Sequence, residues 1–185
     1  MIHSIRFATL EDAAHLLDIY SYYVLNTGIT FEYDVPTLAE FKDRIANISS
    51  TYPYIVAQDS QGTILGYAYA SAFKGRAAYD WSVETTIYLE NNLHKKGIGR
   101  SLYTALEDCL RKQNVINACA CISDYTKDSE HFHEKLGYKK IAHFTKSGFK
   151  DTWLDMIWME KFLSPHHTPP AKFLPISEIR SDITF

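Results

Sequence analysis

The sequence predicts a mixed α/β fold whose elements follow the order β-α-α-β-β-β-α-β-α-β-β. Three observations support this: apolar and polar residues alternate over 80–90, apolar residues recur at helical spacing over 98–110, and residues 115–122 form a near-continuous apolar run. Alternation is typical of a strand with two different faces, whereas an uninterrupted run is typical of a central strand covered on both faces. Together they predict a sheet with helices on both sides.

The first part of the chain supplies a strand, two helices and a hairpin. Residues 2–7 alternate as a short strand. Thr9 and Thr37 each stand three positions before an acidic residue, which is the pattern of a helix N-cap. Apolar residues at helical spacing follow each of them. The first helix is expected to end at Gly28, and the apolar pattern of the second continues to Ile48. Strands over 54–58 and 63–72 are separated by Ser60-Gln61-Gly62, so we expect a hairpin.

The second part alternates strands and helices. Along 80–90, the odd-numbered residues from Trp81 to Leu89 are expected on one face, with Ser82, Glu84, Thr86 and Tyr88 on the other. A helix follows the glycine-containing stretch 97–99, and the apolar run over 115–122 comes next. A short helix over 129–136 should end at Gly137 in a left-handed turn. The last predicted strands are 138–145 and 152–162.

Four prolines after Ser164 predict a tail without regular structure. Its Ile176, Ile179 and Phe185 are apolar, so we expect the tail to dock on the surface rather than to remain free. The sequence therefore predicts one domain over 1–163 and a Pro-rich C-terminal extension over 164–185.

Composition excludes several classes of protein. The formal charge of −3 over 185 residues argues against general nucleic-acid binding. No apolar run is long enough to span a membrane, and we recognise no signal peptide. The three cysteines show no disulfide-framework spacing, which favours a reducing, cytoplasmic location.

The stretch "HKKGIGRS", residues 94–101, combines positive charge with two glycines at the start of a helix. Unpaired N–H groups and the positive end of the helix dipole make such a position suitable for an anion, and glycines allow a phosphate to approach the backbone. The alternative is a flexible strand-to-helix turn whose lysines are solvated. The motif alone does not decide between them.

The context of this loop resembles the acetyl-CoA site of the GNAT superfamily of N-acetyltransferases. The family's loop reads Gln/Arg-x-x-Gly-x-Gly/Ala, and here His94 stands at its first position before Gly97 and Gly99. The segments "AYDWSVETTIYL", "GIGRSLYTALE", "HEKLGY" and "GFKDTWLDMIWMEKF" are similar to the phosphinothricin and methionine sulfoximine acetyltransferase branch. The resemblance covers about Ser4 to Phe162. It implies a GNAT-type, mostly antiparallel sheet flanked by helices, and usually a homodimer.

The resemblance also implies a set of residues that bind acetyl-CoA as co-substrate. In this chain they are Ile87, Tyr88, Leu89, His94, Lys95, Lys96, Gly97, Ile98, Gly99, Arg100, Ser101, Thr126 and Ser129. Thr126 occupies the position where many members have an Asn that holds the pantetheine arm.

Glu84 occupies the branch's position for the general base, which must deprotonate an ammonium before its nitrogen can attack the thioester. The alternative is a solvated carboxylate on an exposed sheet face. His133 stands where other members carry a tyrosine that protonates the departing thiolate. It could equally be a partly buried histidine bonded to backbone. Tyr103 either contacts coenzyme A or packs in the core.

For the acceptor, the resemblance implies a pocket formed by Phe31, Lys74, Arg76 and Tyr79. A guanidinium can grip the two oxygens of a carboxylate or phosphinate, although a surface loop with two solvated cations would look the same. The leading hypothesis is an N-acetyltransferase for the α-amine of a small amino acid or glutamate analogue. The alternatives are another amine acceptor, such as a polyamine or a protein N-terminus, and a non-catalytic acetyl-CoA sensor.

No metal site is expected. His131 and His133 lie two residues apart on a helix and face different directions. Cys119 and Cys121 share one face of a strand without a second pair of ligands. We therefore interpret these side chains, and the adjacent His166 and His167 of the tail, as structural.

Overall fold

A computed structural model describes residues 2–93 and 96–185 of the chain. The strands are β1 (Ser4–Phe7), β2 (Tyr54–Gln58), β3 (Ile64–Ala72), β4 (Ser82–Leu89), β5 (Asn117–Ser123), β6 (Lys139–Lys150) and β7 (Thr152–Phe162). The helices are α1 (Ala13–Asn26), α2 (Leu38–Ser49), α3 (Ile98–Lys112), α4 (Lys127–Lys135) and α5 (Ile176–Ile179). The predicted order of elements is confirmed, with α5 added in the tail.

Within the described residues, seven strands form one sheet in the order β1-β2-β3-β4-β5-β7-β6. Neighbouring strands are antiparallel except β4 and β5, which run parallel. The mixed, mostly antiparallel sheet implied by the resemblance is therefore present.

The sheet separates two hydrophobic clusters. On one face, α3 buries Leu102 and Leu106 against β2, β3, β4, β5 and β7. On the other, α1 and α2 bury Leu16 and Phe41 against β2 and β3. The alternation predicted for β4 is confirmed, because Val83 belongs to the α3 cluster and Tyr88 packs against the α1–α2 cluster.

The capping and glycine patterns in the sequence also predicted a helix start and two turns correctly. Thr37 accepts a hydrogen bond from the Glu40 N–H, and the Glu40 carboxylate accepts one from the Thr37 N–H, forming a complete capping box. Gly62 closes the β2–β3 hairpin with φ +82°, and Gly137 follows α4 with φ +92°. These glycines occupy the left-handed region that other residues rarely adopt.

The predicted end of β6 was wrong. The strand continues to Lys150 past an irregularity between Phe144 and Gly148. Lys146 adopts φ +49° there, and its N–H donates to the Asp155 carboxylate at 2.8 Å. A side chain from the neighbouring strand thus stabilises the bulge, which a reading of the local sequence could not include.

The expectation that prolines exclude regular structure from the tail was also wrong, since α5 begins directly after Pro175. Proline at the start of a helix loses no intrahelical hydrogen bond. Docking of the tail is confirmed: Ile176 is 1% exposed, and the Leu174 carbonyl accepts from the Gln113 side-chain amide at 2.9 Å. At the chain end, the Phe185 ring lies 4.9 Å from that of Phe7.

None of the helices in the described ranges is long and apolar enough to cross a membrane.

Candidate active site

A gap between β4 and β5 forms the centre of the site. These strands pair at Ser82–Asn117, Val83–Ala118 and Glu84–Cys119, and their pairing ends there although β4 continues to Leu89. Along the other edge of β4, the ladder to β3 is continuous, and it extends to a bond from the Glu90 N–H to the Leu65 carbonyl. Because backbone groups alternate between the two edges of a strand, Ile87 and Leu89 turn their N–H groups towards the gap.

Glu84 is the last β4 residue paired with β5. Its side chain is half-buried, on the face opposite α3. Burial raises the pKa of its carboxyl group, and the nearby Lys74 ammonium partly opposes that shift. In the part of the chain that the structure describes, no hydrogen bond or ion pair engages the carboxylate. Such a group can accept a proton from a substrate.

The N-terminus of α3 lies beside the same gap. Gly97 stands at the N-cap of the helix with φ +82° and, as a glycine, supplies no capping side chain. Lys96 and Arg100 are exposed there, while Ile98 is buried. The first N–H groups of a helix point outward and favour an anion. The predicted positions His94 and Lys95 lie outside the described residues.

The two glycines have different roles. Gly97 provides the left-handed backbone, and a Cβ there would meet nothing within 4 Å. Gly99 is buried, and a Cβ there would lie 3.1 Å from the Phe132 ring on α4 and 3.4 Å from the Ile87 side chain on β4. Close packing of α3 against α4 and β4 therefore favours a glycine at position 99, and this reason stands beside the phosphate access predicted from the sequence.

His133 lies within a buried hydrogen-bonded chain. Its Nδ1–H donates to the Ser129 carbonyl at 2.8 Å, so Nε2 accepts from the Tyr103 hydroxyl at 2.7 Å. The Tyr103 oxygen lies 3.2 Å from the Thr85 hydroxyl, which donates to the Cys119 carbonyl at 3.1 Å. With the Tyr103 proton directed at His133 and the Thr85 proton at the Cys119 carbonyl, the two hydroxyl oxygens are in polar contact only, and these contacts together join α4, α3, β4 and β5 at the point where the strands separate.

Burial lowers the pKa of His133 to about 4, and the bond to Ser129 acts in the opposite direction. Burial also raises the pKa of Tyr103. Both groups are therefore neutral near pH 7, and the one ring proton of His133 is engaged by backbone. Of the two alternatives left open by the sequence, this geometry favours the histidine bonded to backbone.

The predicted acceptor residues occupy two parts of the structure. Lys74, Arg76 and Tyr79 are exposed in the segment between β3 and β4. The Lys74 ammonium lies close enough to Glu84 to lower the pKa of its carboxyl group against the effect of burial, and the Tyr79 ring lies 6.0 Å from that of Phe73. Phe31 lies farther along the sheet, at β6. Its ring occupies the space that a Cβ at Gly148 would fill.

A cation places the Phe31 loop, and the sequence analysis missed it. Lys150 Nζ donates to the carbonyls of Val24, Thr30 and Glu32 at 2.6, 3.1 and 2.9 Å. This ties the connection between α1 and α2 to the end of β6. A lone lysine in a strand carries no local signal of such long-range bonds.

The remaining predicted residues lie at the start of α4. Thr126 is exposed at the N-cap position of that helix, and its side chain makes no cap hydrogen bond. Ser129 contributes its carbonyl to His133. Among residues 2–93 and 96–185, no group of three His, Cys, Asp or Glu side chains could hold a metal ion.

Comparison with known proteins gives one family. Residues 5–158 match the family described as acetyltransferase (GNAT) domain. A phosphinothricin N-acetyltransferase of Streptomyces viridochromogenes is 33% identical over 177 residues, which cover 95% of each chain. An L-methionine sulfoximine/L-methionine sulfone acetyltransferase of Pseudomonas paraeruginosa is 30% identical and covers 92% of this chain and 100% of its own.

A solved structure is similar in both fold and sequence. The phosphinothricin acetyltransferase of Sinorhizobium meliloti, crystallised with AcCoA, superposes with a TM-score of 0.87 at 34% identity. The match covers 93% of this chain and 94% of that one.

The buried histidine should make stability depend on pH. Unfolded His133 binds a proton below about pH 6.5, but the folded protein does so only near pH 4, so the free energy of unfolding should fall as pH drops between these values. We expect His133 to contribute about 3 kcal/mol to that fall. Urea unfolding from pH 7 to 4.5 should therefore show a weaker pH dependence for His133→Gln than for the wild type.

His131→Gln, an exposed substitution on the same helix, is the matched control for the loss of a histidine. Equal pH dependence in His133→Gln and the wild type would contradict a buried neutral imidazole.

Proposed function

The chain belongs to the GNAT acetyltransferase family, and we propose that it transfers an acetyl group from acetyl-CoA to the α-amine of a small amino acid or glutamate analogue. Phosphinothricin, methionine sulfoximine and methionine sulfone are the analogues named for its relatives. One observation carries the proposal: a desolvated Glu84, without a hydrogen-bond partner in the described residues, lies where β4 leaves β5.

The residues present fit an acyl-CoA thioester as the acetyl donor. Its diphosphate would bind at the N-terminus of α3, with Lys96 and Arg100 adding positive charge. The pantetheine arm would enter the gap, where the N–H groups of Ile87 and Leu89 can donate to its amides. His94 and Lys95 remain proposed contacts by resemblance to the family.

The role of Glu84 follows from the state of the substrate. An amino acid presents an ammonium group near pH 7, and Glu84 accepts a proton from it, directly or through water. The freed nitrogen attacks the thioester carbonyl carbon, the carbon–sulfur bond breaks, and the amide forms. The sulfur leaves as a thiolate and takes up the second proton that the nitrogen loses, while Glu84 releases the first proton to water. A backbone N–H of β4 facing the gap stabilises the oxyanion.

Two cations favour an acceptor that carries a carboxylate. Lys74 lies close enough to influence Glu84, and Arg76 follows in the same exposed segment. We assign both to the acceptor's anionic group, with Phe31 and Tyr79 as apolar walls. A polyamine would instead meet two positive charges at this end of the cleft.

We also propose a homodimer. The edge strand β6 exposes Ile141 (53%) and Phe144 (49%), and the adjacent β7 ends in Phe162 (60%). Large exposed apolar residues on an edge strand indicate an interaction surface, and the family resemblance favours a second copy of this chain as its partner. The free thiols of Cys109, Cys119 and Cys121 support a cytoplasmic location.

An amine panel tests the proposed function. With acetyl-CoA present, thiol release should follow the addition of methionine sulfone, methionine sulfoximine or phosphinothricin, but not of spermidine. Release with spermidine or a peptide N-terminus alone would contradict the proposed acceptor class. Acetyl-CoA binding by calorimetry without release on any amine would indicate a sensor instead.

Glu84→Gln tests the base. Because an amide cannot accept the ammonium proton, kcat should fall about a hundred- to ten-thousand-fold. Affinity for acetyl-CoA, measured by calorimetry, should stay close to that of the wild type. Glu90→Gln, just past the end of the same strand, is the control and should keep its turnover. An active Glu84→Gln enzyme would remove Glu84 as the base.

The dimer is tested by sedimentation velocity. Wild-type protein should sediment as a dimer, and Phe144→Asp should shift it towards monomer because a charge would be buried in the interface. Leu38→Asp, which adds the same charge at the start of α2, should stay dimeric. Dimeric Phe144→Asp would place the interface elsewhere.

A further inference from the structure

We call the sheet face that carries the Glu84 side chain, opposite α3, the Glu84 face. Its two halves are covered by different parts of the chain. Helices α1 and α2 pack over β2 and β3 and reach Tyr88 of β4. Farther along the sheet, Glu84, Cys119 and Glu160 occupy one row across β4, β5 and β7. Cys119 is nevertheless 4% exposed. Something other than the α1–α2 cluster therefore covers Cys119.

An aromatic pair crosses the sheet at this position. The rings of Phe73 and Trp158 lie 5.6 Å apart and are nearly perpendicular, at 89°. Phe73 directly follows β3 and Trp158 belongs to β7, so β4 and β5 lie between their backbones. Adjacent strands are about 4.8 Å apart, so the two backbones are separated by about 14 Å and the rings must meet above the intervening strands.

The register shows where they meet. The Phe73 N–H bonds to the Ser82 carbonyl, so Phe73 lies one row before Glu84 on the Glu84 face. Trp158 pairs with Cys121, which places it one row after Cys119 on the same face. The row midway between these two is that of Glu84 and Cys119. The ring contact therefore lies above them.

This position accounts for both observations. Rings in this position would exclude water from Cys119 and remove solvent from one side of Glu84, in agreement with the burial that raises the pKa of its carboxyl group. The titratable groups that share the row of Glu84 or interact electrostatically with it are Lys74, Tyr69, Tyr103, Cys119, Cys121 and Glu160, of which Tyr103 lies on the α3 side of the sheet. Among them Lys74 opposes the shift, and its Nζ lies 5.2 Å from the centre of the Phe73 ring.

We propose that Phe73 and Trp158 form an aromatic bridge above Glu84 that keeps bulk water from its carboxylate and so makes that carboxylate a stronger base. Both are positioning residues, since they act through Glu84. The bridge rests on the proposed function, because it requires Glu84 to be the base. A base of raised pKa removes the ammonium proton more effectively than a solvated carboxylate.

Trp158→Leu and Phe73→Leu test the bridge through the pH dependence of kcat. Loss of either ring admits water, so the pKa of Glu84 should fall and the acidic limb of the profile should move to lower pH. The plateau above that limb should also fall, because a weaker base removes the proton more slowly. Trp158→Phe, which keeps a ring, should restore part of both effects.

Phe185→Leu is the matched control. It removes a ring from the Phe7–Phe185 pair, which joins the tail to β1 at the other edge of the sheet. Its profile should coincide with that of the wild type. If Trp158→Leu does not fold, Phe73→Leu carries the test, because Phe73 is a partly exposed residue outside the strands.

A carbon-13 NMR titration of the Glu84 carboxyl group gives a readout that does not depend on turnover. Its midpoint should fall in both leucine variants and stay unchanged in Phe185→Leu. Unchanged midpoints and acidic limbs in the leucine variants would overturn the bridge, even with Glu84→Gln inactive. An active Glu84→Gln enzyme would instead overturn the proposed base, and the NMR titration would still report whether the rings shield the carboxyl group.

Discussion

The separation of β4 from β5 beyond Glu84 and Cys119 is the constraint on which the rest of the site depends. Two parallel strands that part leave backbone N–H and C=O groups without their ladder, which is unfavourable in a protein interior unless another partner binds them. Thr85 marks the last point of attachment, since its hydroxyl donates to the Cys119 carbonyl. Beyond it, the open edge of β4 can bind an extended amide-bearing ligand. The sheet thereby brings an open strand edge and the proposed base, Glu84, close together on one strand.

Desolvation acts on both sides of this point and has opposite consequences for the two titratable groups. It raises the pKa of Glu84 and lowers that of His133, because burial always disfavours the charged form. For a carboxylate the result is a stronger base. For a histidine that already donates to Ser129, the result is a neutral group that accepts from Tyr103. The same physical effect therefore favours Glu84 as the reactive group and His133 as part of the framework that holds the strands.

Features that follow from a local period or a turn were predictable from the sequence. The two faces of β4 follow from alternation, and the cap at Thr37 and the left-handed Gly137 follow from residue types at fixed spacing. Features that need the register between distant strands were not predictable. Phe73 and Trp158 are 85 positions apart, and their rings meet across two intervening strands because the strand register places both side chains on one face of the sheet. Asp155 likewise holds the β6 bulge from the neighbouring strand. The roles proposed for Glu84, Lys74 and Arg76 came from a family resemblance, and the structure adds their surroundings rather than their roles.

The position of Gly99 connects the helix that would bind phosphate to the point where the strands part. Its missing Cβ lets the Phe132 ring approach α3, and Phe132 in turn packs edge-on against Tyr103 with ring centroids 5.4 Å apart. Tyr103 is bonded to His133, and its oxygen lies beside the Thr85 hydroxyl. Interiors are close-packed, so a displacement of the α3 N-terminus would be passed through these contacts to the end of the β4–β5 pairing. A donor held at that helix would therefore have its thioester placed relative to Glu84 by packing between rigid elements, and a flexible glycine loop could not provide that precision.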